Sequence, residues 1–206
     1  MGTLWQRFGT RLRRQFPFRR GESVLLVPVP AAEPAVGTWR ALYDPSAAAG
    51  APPHVTLVYP FLPPAHLTPQ VLHSIAETVR GCPEFDFNLA GLCAFPAVLY
   101  AAPEPADPFV ALTNEIQRLF PDAPAYGGAF SRVIPHLTLA HLPESRQPTG
   151  WPDSLLSSLG TTVPIPCRAN EVWLMVRGRR WRLRARFAFG PARRGPGHAA
   201  AETAWA

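Results

Sequence analysis

The sequence predicts an α+β domain built from two related halves. Apolar runs of strand-like and helix-like period alternate along the chain. The pattern Pro-His-x-Thr-Leu occurs twice, at 53–57 and at 135–139, once in each half. The chain has 206 residues, of which 47% are hydrophobic, enough for one sizeable interior.

Residues 1–20 carry five arginines between positions 11 and 20 and no acidic residue. Leu4, Phe8, Leu12 and Phe16 recur every four residues, a helical period with a basic opposite face. This stretch is expected to be a mobile basic leader preceding a domain at 21–190. "SVLLVPVP" reads as a buried strand. Glu33-Pro34 opens a short helix through Tyr43, with proline where its missing N–H costs nothing. "DPSAAAGAPP" reads as a loop, and the first His-x-Thr strand follows it. "LTPQVLHSIAETVRG" is a helix punctuated by Thr68 as cap, Pro69 in the first turn and Gly81 at the end. "FDFNLAGLCAF" and "AVLYAAP" read as two antiparallel strands. "DPFVALTNEIQRLF" is an amphipathic helix with Phe109, Leu112, Ile116 and Leu119 on one face, stopped by Pro121. A turn-rich loop containing Gly127-Gly128 leads to the second His-x-Thr strand. "DSLLSSLG" suggests a short helix, and "NEVWLMVRG" with "RWRLRARFAF" a strand pair around Gly178. Residues 191–206 read as a disordered tail.

Composition excludes several classes. No apolar run approaches the ~18 residues of a membrane span, and residues 1–20 lack the apolar region of a secretory signal. Three cysteines, none in a C-x-x-C arrangement, indicate neither a disulfide framework nor a zinc site. They suggest buried thiols in a reducing, cytoplasmic compartment. All 20 basic residues are arginine, and the net charge of +6 favours an anionic partner such as RNA or a nucleotide phosphate.

The repeated segment carries the chemistry. Side chains on a strand alternate between faces, so His54 and Thr56 share one face while Val55 and Leu57 share the other. His136 and Thr138 repeat the arrangement against Leu137 and Leu139. Each pair presents one imidazole and one hydroxyl roughly 6.5–7 Å apart, a spacing that admits a phosphate group. Two polar pairs in two apolar strands need partners, and a shared ligand supplies them. A neutral imidazole can take a proton from the attacking hydroxyl or water, and a protonated one can deliver it to the leaving oxygen. The threonine hydroxyls can donate to non-bridging phosphate oxygens. The sequence shows no carboxylate cluster to hold a metal, and no cofactor is expected.

This layout resembles the 2H phosphoesterase superfamily, in its 2′-5′ RNA ligase and cyclic phosphodiesterase-like branch. The resemblance runs over about residues 22–189. It rests on His54-Val-Thr56-Leu and His136-Leu-Thr138-Leu, with "VPVP", "HVTLVYPF", "FPAVLYAAPEP", "AYGGAF" and "VIPHLTLAH". It implies a bilobal fold, two antiparallel sheets with outer helices and a central cleft. It also implies metal-independent cleavage or formation of phosphodiester bonds, often at 2′,3′-cyclic phosphates of RNA ends. His54 and His136 are then acid and base, and Thr56 and Thr138 phosphate binders. The alternative is a non-catalytic RNA- or nucleotide-binding module using the same cleft.

Further candidates are substrate contacts. Tyr59 is expected on the face of His54 if the strand runs on without a bulge. Arg182, Arg184 and Arg186 alternate with apolar residues and are expected as one stripe that holds a phosphate backbone. Tyr126 and Phe130 flank the double glycine and are placed to cap a nucleotide. A monomer is expected.

Overall fold

A computed structural model describes residues 20–130, 132–142 and 151–192. The leader and tail expected at 1–20 and 191–206 lie outside the described residues except for 20, 191 and 192. Among those described, eight strands form: β1 (Ser23–Pro28), β2 (His54–Val58), β3 (Phe85–Phe95), β4 (Val98–Glu104), β5 (Leu137–His141), β6 (Ile165–Ala169), β7 (Glu171–Arg177) and β8 (Trp181–Ala188). The helices are α1 (Glu33–Tyr43), α2 (Pro45–Ala48), α3 (Pro69–Arg80), α4 (Asp107–Leu119) and α5 (Asp153–Gly160).

The strands follow one antiparallel order, β6-β3-β4-β5-β2-β1-β7-β8. Two separate sheets were expected; the halves are instead joined edge to edge between β2 and β5. That seam consists of one residue pair, Val55 opposite Leu137. Both are fully buried, and they belong to one cluster that runs through both halves. Burial of a common apolar row therefore holds the halves together where ladder hydrogen bonding is minimal. Helices α3 and α4 pack on the β2-β1-β7-β8 half, while α1 and α5 pack on the other.

Local chemistry explains most boundaries. All six residues of β1 are buried, as a strand covered on both faces requires. Thr68 caps α3 by accepting from the Val71 N–H. The loop expected after Tyr43 contains α2, because Asp44 accepts from the Ser46 N–H and Pro45 takes the first helical position. In α4, Phe109, Leu112 and Ile116 are buried but Leu119 is 38% exposed. Phe120, beyond the helix end, fills that place by packing edge-on against Phe61 at 5.2 Å. Strand β6 is not evident in the sequence. It is a short edge strand in which Ile165, Cys167 and Ala169 face inward and Pro166 and Arg168 outward. Cys167 is buried, but Cys93 is exposed, so not every thiol is shielded as expected. Among the described residues, no helix is long and apolar enough to cross a membrane.

Candidate active site

The seam between β2 and β5 brings the two histidine segments side by side. With Val55 opposite Leu137, antiparallel pairing sets His54 across from Thr138 and Thr56 across from His136. Val55, Leu57, Leu137 and Leu139 are at most 1% exposed and line the core face. His54, Thr56, His136 and Thr138 are half-buried on the opposite face. Directly opposed residues on such a pair sit ~4.5–5.5 Å apart and diagonal ones ~7–8 Å. The histidines occupy one diagonal of this four-residue patch and the threonines the other.

Both imidazoles are anchored in the same way. His54 Nδ1 donates to the Pro52 carbonyl at 2.6 Å, and His136 Nδ1 donates to the Ile134 carbonyl at 2.7 Å. A carbonyl only accepts, so Nδ1 carries the hydrogen in each neutral ring. Nε2 is then the nitrogen left to exchange a proton with a ligand. Burial of the ring, helped by the nearby Arg40 guanidinium, lowers His54 from its usual 6.5 to about 4. Burial also lowers His136, against the pull of its carbonyl bond.

One wall of the patch was not assigned from the sequence. Tyr100 lies across from Thr138 on β4, and Phe95 stacks on Tyr100 with centroids 4.4 Å apart. His136 meets both rings edge-on, at 5.3 Å from Phe95 and 5.4 Å from Tyr100. The signal was present in "FPAVLY", a tight hairpin that returns one aromatic over another, but pairing register alone shows where it lands. Arg40, not among the expected site residues, lies beside this patch. It is 2% exposed and donates from Nε to the Thr138 carbonyl at 3.1 Å.

The remaining candidates are placed differently from expectation. Tyr59 does share the face of His54, but through a bulge rather than despite one. Leu25 pairs with Val58 and Leu26 with Thr56, so one residue of β2 is looped out and the alternation resets. Tyr59 is 6% exposed, packs edge-on against Trp181 at 6.2 Å and donates its hydroxyl to Glu22 at 2.5 Å. It lies ~16 Å along the strand from His54. The arginine stripe is also broken by a bulge. Arg186 pairs with Trp173 and Arg182 with Val176, three residues apart on a regular strand, so they face opposite sides. Arg184 falls at the bulge and is exposed. Arg186 rests over the Trp173 ring at 4.8 Å. Tyr126 and Phe130 pack edge-on at 5.7 Å in the loop beyond β2, where the Tyr126 N–H donates to the Tyr59 carbonyl at 2.6 Å. Tyr126 has φ 54° and is followed by Gly127 at φ 61° and Gly128 at φ 74°, a left-handed run that glycine makes affordable. Burial pushes the Tyr126 phenol up to about 12, so it stays a hydrogen-bond donor. The loop sits at the far end of β2 from His54.

Comparison with known proteins agrees with this architecture. The model of the 2′-5′ RNA ligase superfamily matches residues 27–181. Among solved structures, TT0787 of Thermus thermophilus aligns with TM-score 0.55 at 18% identity, covering 81% of this chain and 97% of its own. E. coli LigT, solved in complex with 3′-AMP, aligns with TM-score 0.53 at 16% identity, covering 83% of this chain and 99% of its own. A structure described as a phosphoesterase aligns with TM-score 0.50 at 20% identity, covering 82% and 99%. At these identities the likeness concerns the fold. No individual curated protein shows a significant match.

Proposed function

Because the chain belongs to the 2′-5′ RNA ligase superfamily, we propose that it is a two-histidine phosphoesterase. Its substrates are 2′,3′-cyclic phosphate or 2′-5′ phosphodiester linkages of RNA or nucleotides. The observation that carries this reading is the twin anchoring of His54 and His136 across one strand pair, with a threonine beside each. The complex of E. coli LigT with 3′-AMP supports a nucleotide carrying phosphate on its ribose. Among the described residues, no group of three His, Cys, Asp or Glu side chains is placed to hold a metal ion. The proton transfers are assigned to the imidazoles, whose matching Nδ1 anchors leave Nε2 to exchange protons.

In the hydrolytic direction, one neutral Nε2 accepts a proton from water as the water oxygen bonds to phosphorus. The bond from phosphorus to the leaving ribose oxygen breaks, and that oxygen takes a proton from the other, protonated Nε2. The Thr56 and Thr138 hydroxyls donate to the non-bridging oxygens, where negative charge grows. Proton exchange with solvent resets the pair. Purified protein given 2′,3′-cyclic nucleotides in EDTA should open the ring to the nucleoside 2′- or 3′-monophosphate at the rate seen without chelator. Binding without turnover, or turnover only with added divalent metal, would sink the proposal.

The lowered titrations make a second expectation. Activity needs one ring neutral and one charged. His54 gains its proton only at about pH 4 and His136 below its usual 6.5. The singly protonated pair is thus most abundant between those limits, and kcat/KM should peak on the acid side of neutrality. A bound phosphate anion favours charged imidazole, so the kcat profile should lie at higher pH than that of kcat/KM. A flat kcat/KM between pH 5 and 8 would contradict the mechanism.

A further inference from the structure

Beyond the four-residue patch, toward Ala51 and His141, no further pair joins the two histidine segments. Antiparallel register would continue with His141 across from Ala51, yet Val55 and Leu137 are the pair the ladder contains. Where strands splay, their carbonyls lose ladder donors, and a buried carbonyl left without one is costly. Arg40 on α1 fills this opening. Its Nε donates to the Thr138 carbonyl at 3.1 Å, and its Nη2 lies 3.5 Å from the Ala51 carbonyl. Thr138 belongs to one histidine segment and Ala51 leads into the other. The guanidinium is gripped by Asp44 Oδ2 at 3.2 Å from Nε and 2.8 Å from Nη2. Asp44, fully buried, is fixed in turn by the Ser46 N–H at 2.8 Å and the Ser46 hydroxyl at 2.9 Å. His141 Nε2 lies 4.0 Å from Asp44 Oδ1.

We propose that Arg40, braced by Asp44, is a positioning residue: a wedge whose fork fixes the separation of the two histidine segments behind the reacting phosphate. It rests on the two-histidine reading above for its catalytic consequence. A planar fork suits the task, since it reaches two carbonyls and a carboxylate at once and stays charged. Its charge also reaches His54. The charged groups facing that ring are Arg40 on α1, Asp44 just after α1, and His136 across the seam. Burial is the main cause of the lowered His54 titration; Arg40 lowers it further and outweighs the opposing pull of Asp44.

The test compares the full chain with Arg40→Lys and with the double variant Arg40→Met/Asp44→Leu. Apolar replacement of a buried ion pair generally preserves folding. Imidazole NMR titrations are read without substrate, and kcat and KM on a 2′,3′-cyclic nucleotide. In the double variant His54 should titrate upward toward its usual value while His136 moves less. A misplaced catalytic group costs about 100-fold in kcat, with KM nearly constant. Arg40→Lys retains the charge and the low His54 titration but lacks the fork, and should lose about tenfold in kcat. Wild-type kcat and His54 titration in both variants would overturn the wedge. If the double variant does not unfold cooperatively, wild-type kcat in Arg40→Lys overturns it alone. A wild-type chain that turns over no phosphodiester refutes the proposed function, whereas a His54 titration displaced in the double variant and kept in Arg40→Lys still upholds the placement of Arg40 against the histidine segments.

Discussion

Replacing His54 or His136 by alanine should lower kcat on a 2′,3′-cyclic nucleotide by about 10²–10⁴-fold, the usual contribution of one positioned acid or base. KM should change little. The hydroxyls of Thr56 and Thr138 and the aromatic wall of Phe95 and Tyr100 remain to hold the substrate. The double replacement should cost scarcely more than the worse single one, because groups acting in one proton-transfer unit are strongly non-additive. Folding should survive. Each ring is half-buried and bonds a single carbonyl two residues earlier, which water can take over. Removing His54 also removes a group that burial keeps neutral. Such a group contributes stability that is present above its usual 6.5 and is lost as pH falls toward about 4. The His54→Ala chain should therefore lose less stability than wild type on acidification over that window. Steady-state kinetics beside thermal melts at pH 7 and pH 5 check both halves. A double variant retaining a tenth or more of wild-type kcat would refute acid–base roles for these rings.

The site was legible because its signal is short-range and duplicated. Alternation along five residues already separates His54 and Thr56 from Val55 and Leu57, and burial in the structure follows it. What the sequence hides is set by register between distant strands. The bulge after Thr56 exists because β1 pairs across it, and the bulge at Arg184 because β7 does. No local residue pattern announces either, so the inferred arginine stripe failed and Tyr59 reached its face by a route not foreseen. Asp44-Pro45-Ser46 is a helix-start signal, but in an alanine-rich stretch it reads equally as a turn. Strand β6 was missed because five residues including a proline carry little pattern of their own. It forms by pairing with β3. Arg40 was not among the expected site residues for a similar reason. A helical arginine is ordinarily solvated, and only the splay of β2 from β5 creates a buried place for its charge.

That burial makes Asp44→Ala the substitution with the largest expected effect on stability, about 3–5 kcal/mol. The Asp44 side chain is fully buried and its two oxygens receive the Arg40 fork, the Ser46 N–H and the Ser46 hydroxyl. Its loss leaves a guanidinium charge in the interior, compensated only by carbonyl dipoles, and removes the cap of α2. The cap alone is worth ~1 kcal/mol. For a domain of this size each kcal/mol moves the melting temperature by about 2–4 °C, so a fall on the order of 10 °C is expected. Breaking the exposed Arg118–Glu115 pair on α4 should cost ~0–1 kcal/mol, because water already solvates both partners. Both pairs close at 2.8 Å, so the contrast reports burial together with the cap of α2. Thermal unfolding of the two single variants, followed by circular dichroism at pH 7, measures the difference. A fall of under 2 °C for Asp44→Ala would mean that solvent reaches the guanidinium and that the seam between the histidine segments is held by Val55 and Leu137 alone.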